Sequence, residues 1–176
     1  VAEAKHRIHI LEGSDHITLR HGELSDAGSV GSNAYLEIGS WSYAGSDKAS
    51  NILIYKMNIH DLGDRYANFD QDVHGISLHG NAENVWILYN TIARVSGDGE
   101  QIEAKHSRRT DTIKNIYLGK NTIYDNKQSG IWMKHASKVV VSSNDIYDMA
   151  VSGSSSGQCT GYQYSSKDFW FINNTL

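Results

Sequence analysis

The stretch Asn84-Val85-Trp86-Ile87-Leu88-Tyr89-Asn90-Thr91-Ile92 is answered one repeat later by Asn115-Ile116-Tyr117-Leu118-Gly119-Lys120-Asn121-Thr122-Ile123. Each opens with two apolar residues flanking an aromatic, the alternation of a strand with one buried face. Working outward, the same short strand recurs as His16-Ile17-Thr18-Leu19, Asn51-Ile52-Leu53-Ile54, Lys138-Val139-Val140-Val141 and Asp168-Phe169-Trp170-Phe171. An apolar residue follows every copy, at Leu24, Ile59, Ile92, Ile123, Ile146 and Leu176, with steps ranging from 23 to 35 residues. One step is one structural unit whose length varies in its loops.

Asn90, Asn121, Asn144 and Asn174 stand two residues before that apolar position in the last four units, while Met57 and Gly22 interrupt the column earlier. A column of like amides suits stacked rungs that bond to one another. Short strands, a ladder and a period near 30 predict an all-β chain: a single-stranded, right-handed parallel β-helix of about five coils, one domain over 1–176. Residues at the same place in neighbouring coils then lie about 4.8 Å apart. The chain opens without methionine and stops inside a strand pattern, so it reads as a piece of a longer β-helix.

Composition sets the remaining bounds. Charged residues make up 20% and hydrophobic ones 39% of 176 residues, which is a globular composition. No run of apolar residues is long enough for a bilayer. A formal charge of −4 offers no basic footprint for nucleic acid. Cys159 is the only cysteine, which excludes internal disulfides and multi-cysteine zinc sites.

A further strand recurs later in each unit, as Ile8/Ile10, Leu36/Ile38, Ile76/Leu78, Ile102/Ala104 and Ile131/Met133. Matching Lys105-His106 with Lys134-His135 places Gly39, His79, Lys105 and Lys134 in one outward column. Glu37, Ser77, Glu103 and Trp132 form the next. In the turn before the strand, Asp72 is then expected over Asp98, and His74 over Glu100. Two lysines on adjacent rungs repel each other, which favours a neutral amine able to take a proton. Asp72, Asp98 and Glu100 offer the oxygen ligands that calcium prefers. Together these suit β-elimination on an acidic, uronate-containing polysaccharide. The cation would acidify the sugar C–H, Lys105 would remove the proton, and Lys134 or His79 would assist. Trp132 and Tyr35 would stack on sugar faces, and Arg108 and Arg109 would hold carboxylates.

Over roughly Asp72 to Ala136 the chain resembles the alginate lyases and chondroitinase B. In that family two acidic ligands precede a catalytic lysine as Glu-x-Glu-x-x-x-x-Lys, and Asp98-Gly99-Glu100-Gln101-Ile102-Glu103-Ala104-Lys105 has that spacing, with aspartate first. The family's catalytic arginine, followed by His-Gly, falls on Met133-Lys134-His135-Ala136, and its third calcium ligand on Asp72. The resemblance implies a calcium-assisted polysaccharide lyase, with Lys105 as base, Lys134 at the arginine position and Glu103 and His135 beside the substrate. It also implies a secreted or periplasmic setting.

Two other readings of the same residues stay open. A tailspike-like or other carbohydrate-binding β-helix needs no catalytic group. A glycoside hydrolase would take its acid and base from Asp98, Glu100 and Glu103.

Overall fold

The computed structural model describes residues 8–27, 35–41, 45–103 and 113–176. Among them no helix forms, and every strand pairs in parallel with its counterpart one coil away. Three sheets run along the stack. Sheet A joins Ile8–Ile10, Leu36–Ile38, Ile76–Leu78, Glu100–Glu103, Ser129–Lys134 and Gln158–Gln163. Sheet B joins Asp15–Arg20, Ala49–Tyr55, Ala82–Leu88, Ile113–Gly119, Ala136–Ser142 and Lys167–Ile172. Sheet C joins Glu23–Ala27, Asn58–Leu62, Thr91–Val95, Thr122–Tyr124 and Asp145–Tyr147. The expected parallel β-solenoid of about five coils is the observed architecture.

Sharp changes of chain direction are made by single residues in the left-handed region. His16, Asn51, Asn84, Asn115, Lys138 and Asp168 form one such column inside sheet B. His21, Lys56, Tyr89, Lys120, Ser143 and Asn173 form another between sheets B and C, all with φ from +52° to +59°. A left-handed residue turns the chain sharply in one step, and its cost of about 1–2 kcal/mol is borne where stacking dictates the path. Asparagine tolerates that conformation best, which explains its recurrence at the first column.

The interior is apolar. Leu24, Ile59, Ile92, Ile123 and Ile146 are direct register partners, and the last four are fully buried. The amide ladder lies behind them. Asn90 Oδ1 accepts from the Met57 N–H (2.9 Å), and Asn121 Oδ1 accepts from both the N–H (2.8 Å) and the Nδ2 (3.0 Å) of Asn90. Asn144 and Asn174 repeat the pattern, and each Nδ2 also reaches a carbonyl of the previous coil, as in Asn121 to Ile87 (2.9 Å). Met57 continues the column in another currency: its thioether accepts the Gly22 N–H at 3.3 Å. A side chain at Gly22 would place its Cβ 2.8 Å from Met57 Cε, so the glycine makes room for the sulfur.

Sheet A departs from the expected register by two residues. Ile102 pairs with Met133 and Leu78 rather than with Ile131, and Glu103 pairs with Lys134. The cause is a glycine column. Gly75 lies against Gly99, whose own Cβ would meet Gly130 O at 2.8 Å and Ile123 Cγ2 at 2.6 Å. Only glycines fit where sheet A closes over the sheet C isoleucines, so Gly75, Gly99 and Gly130 fall into line and carry their strands with them. Glu100 consequently takes the inward place of Ile76 and Ile131.

There Glu100 is fully buried, and neither carboxyl oxygen has a hydrogen-bond partner. Burial pushes its pKa up to about 8, so the group is neutral at pH 7. The folded chain keeps this proton to about pH 8, whereas an unfolded glutamate releases it near its ordinary value. Folding therefore takes up a proton between those limits, and this contribution to stability is lost as pH climbs through them.

Two stability outcomes follow. Asn121→Ala orphans donors on Asn90 and carbonyls beside it, which costs about 3 kcal/mol. Its melting midpoint should fall by about 6–12 °C, and calorimetry showing no shift would contradict the ladder. Glu100→Ile should be more stable than the parent, by a margin that widens between about pH 5 and about pH 8. Denaturant melts across that range read the margin directly, and a destabilised variant would contradict the inward placement.

Candidate functional site

The outward side chains of sheet A floor a cleft of about 690 Å³. Glu37, Gln101 and Trp132 come from one register column, and Glu103, Lys134 and Gln163 from the next. Trp132 lies flat across the following coil, because a Cβ on Gly161 would sit 2.1 Å from its ring. Trp41 and His79 border the cleft together, their rings meeting edge to face at 5.2 Å. Asp72, Gln128, Ser154, Ser155 and Gln158 line it as well.

That second group is held by a loop, 63–75, that reaches across coils. Arg65 pairs with Asp125, and the buried Lys127 ammonium donates to the carbonyls of Ala67 (2.5 Å) and Phe69 (2.8 Å). Gln128 Nε2 donates to Asp72 Oδ1 (2.5 Å), and the Gly153 N–H donates to Asp70 Oδ1 (3.1 Å). The loop thus gives up its backbone carbonyls to a buried cation, which fixes one side of the cleft without regular structure.

Two carboxyl groups in the cleft differ in surroundings. Asp98 is almost completely buried, and burial raises its pKa to about 7. A hydrogen bond from Ser129 and the charge of Lys134 oppose that rise, while Asp72 and Glu103 reinforce it. The Asp98 N–H donates to His74 Nδ1 at 2.9 Å, so His74 carries its proton on Nε2. His74 is held neutral, its pKa lowered to about 3 by burial and then by the charges of His79 and Lys134. Glu103 instead accepts from Lys134 Nζ at 2.8 Å, a charge-assisted contact with both groups mostly buried. His79 Nδ1–H donates to the Glu103 carbonyl at 2.9 Å, which leaves Nε2 as its remaining ring nitrogen. One carboxyl group keeps a proton near neutrality beside a second that is ion-paired, the pattern by which acid and base roles separate.

The expected site residues divide accordingly. Asp72, His79, Asp98, Glu103, Trp132 and Lys134 all line this cleft. Lys105, Arg108 and Arg109 lie outside the described residues. His135 sits at the corner after sheet A, sharing a hydrogen bond with Ser165 (2.9 Å) and stacked on Tyr164 at 5.0 Å, rather than beside the cleft. The column Gly39, His79, Lys105, Lys134 is corrected by the register, which puts Glu103 opposite Lys134. Asp98 accordingly meets His74, and Asp72 is held by Gln128.

The calcium set is corrected too. Glu100 points into the interior, and among the described residues no group of three or more acidic, histidine or cysteine side chains gathers to hold a metal. Glu100 is thus turned away from Asp72 and Asp98, which line the cleft. Trp41, Gln128 and Gln163 were missed as lining residues. Trp41 lay two residues past Gly39, and Gln163 lay in a strand, Gln158–Gln163, with too little apolar alternation to be recognised.

Comparison with protein-family models, with curated proteins and with solved structures finds no match for this chain, so the likeness to alginate lyases rests on residue spacing alone.

Proposed function

We propose that the sheet A cleft hydrolyses a glycosidic bond in an uncharged polysaccharide, with Asp98 as general acid and Glu103 as the carboxylate partner. The observation that carries this reading is the pair itself: two carboxyl groups facing one cleft, one buried against His74 and Ser129, the other bonded to Lys134. Asp98 delivers its proton to the glycosidic oxygen as the C1–O bond breaks. The Glu103 carboxylate faces the positive charge that develops on the sugar and takes a proton from the water that attacks C1, after which solvent removes that proton from Glu103 and returns one to Asp98. The Lys134 ammonium, 2.8 Å away, orients the Glu103 carboxylate. Trp132, flat over Gly161, offers a stacking face to a pyranose ring, and Gln101, Gln128 and Gln158 present amides to hydroxyls.

Charge favours a neutral chain over a uronate polymer. Among the described residues the cleft carries Glu37, Asp72 and Glu103, beside the protonated Asp98, against Lys134, which is already committed to Glu103. A polyanion would bring further negative charge into a partly desolvated space. The elimination reading depends on Lys105, which lies outside the described residues.

The test incubates the protein with neutral and uronate polysaccharides and follows reducing ends beside ultraviolet-absorbing unsaturated sugar. Reducing ends without unsaturation are expected from a neutral glycan. Activity should fall as pH climbs through about 7, where Asp98 loses its proton. Asp98→Asn and Glu103→Gln should each lower turnover about 100-fold or more. Unsaturated product would overturn hydrolysis in favour of elimination. Retention of glycan without any product would leave a binding module.

A further inference from the structure

Sheet B has an outer face that the cleft does not use. Register places Leu53, Trp86, Tyr117, Val140 and Trp170 in one outward column, on successive coils. Trp86 is 41% and Trp170 49% exposed. Such exposure of large aromatic rings, repeated along one line, marks an interaction surface. Tyr117 is folded down onto its own strand, since a Cβ on Gly119 would lie 2.8 Å from its Cε1 and 3.0 Å from its Cζ. Its ring therefore covers the sheet and turns a face outward.

Beside this column runs a second amide ladder. Asn84 Nδ2 donates to Asn51 Oδ1 (3.2 Å), and Asn115 Nδ2 donates to Asn84 Oδ1 (3.0 Å). The charged residues at the edge of the sheet are spent on one another: Glu83 is paired with Lys48 and lies 3.6 Å from Lys114. On the coils of Leu53, Trp86 and Tyr117 the middle of the face thus carries apolar side chains in one line and amides in the next, which give way to Lys138 and Asp168 on the coils of Val140 and Trp170.

We propose that this face is a second, non-catalytic track for a neutral polysaccharide chain lying along the solenoid axis. Pyranose rings have apolar C–H faces that stack on aromatic rings, and equatorial hydroxyls at their edges that amides bind in both senses. The spacing agrees. Tyr117 and Trp170 are two rungs apart, about 9.6 Å, close to the length of one disaccharide in an extended chain. Trp86 and Tyr117 are one rung apart, so the column offers stacking positions at intervals that a regular polymer can meet. A protein partner would match apolar area but has no need of the amides beside Leu53, Trp86 and Tyr117. The inference concerns binding alone and stands apart from hydrolysis at sheet A.

Sedimentation with insoluble xylan, β-glucan, mannan and chitin tests it, using the parent, the double variant Trp86→Ala/Trp170→Ala, Trp86→Phe and Glu103→Gln. The parent should sediment with at least one polymer. The double variant should bind about tenfold more weakly, and Trp86→Phe should recover most of the binding. Melting curves establish that each variant is folded, and the exposed rings leave the core intact. Light scattering reads the oligomeric state alongside. No sedimentation of the parent overturns the proposal, as does equal binding by a folded double variant. Loss confined to Glu103→Gln would assign the binding to the cleft instead. A parent dimer that the double variant dissolves would make the face a contact between two copies, which also overturns it.

Discussion

Asn90, Asn121 and Asn144 each bond in two directions at once, to the coil before and to the coil after, and Asn174 joins the ladder from the last coil. That reciprocity holds the coils at one strand spacing inside an apolar interior, where an unpaired amide would be costly. Everything functional in this fold inherits the spacing. A side chain on one coil meets its register partner about 4.8 Å away, so a sequence separation of 23 to 36 residues becomes direct contact. The Met57 thioether shows that the requirement is for an acceptor at that place rather than for asparagine as such.

A second constraint, the glycine column Gly75–Gly99–Gly130, decides which acids meet solvent. It sets the start of each sheet A strand and thereby separates three carboxyl groups that are close in sequence. Asp98 falls before the strand and enters the cleft wall. Glu103 falls on its outer face and meets Lys134. Glu100 falls on its inner face among isoleucines. Chemically identical groups thus become a proton carrier, an ion-paired carboxylate and a buried neutral acid, through position alone.

Sheets B and C were legible because their apolar residues and asparagines recur together, and a shift of register there would bury polar side chains. In sheet A the apolar signal failed at one residue. Glu100 occupies an inward place that Ile76 and Ile131 hold elsewhere, so the apolar pattern begins two residues late there, and the Lys-His matches point to the same shifted register. Moving a strand by two residues preserves the alternation of faces, so periodicity gave no warning. The glycines before Ile76, Glu100 and Ile131 carried the correct register, for a steric reason visible only once the sheet C isoleucines behind them are placed. The acid pair was within reach of sequence reasoning, since Asp98 and Glu103 were both candidates. Their unequal environments were not, because His74 comes from the coil before Asp98, and Ser129 and Lys134 from the coil after it.

The central claim is that the fold holds Asp98 protonated near neutrality in a cleft where Glu103 is ion-paired. A carbon-13 NMR titration of aspartate-labelled protein reads this directly, with the Asp98 carboxyl signal assigned by its loss in Asp98→Asn. The account predicts a midpoint near 7. A midpoint of about 4, ordinary for an exposed aspartate, would contradict it.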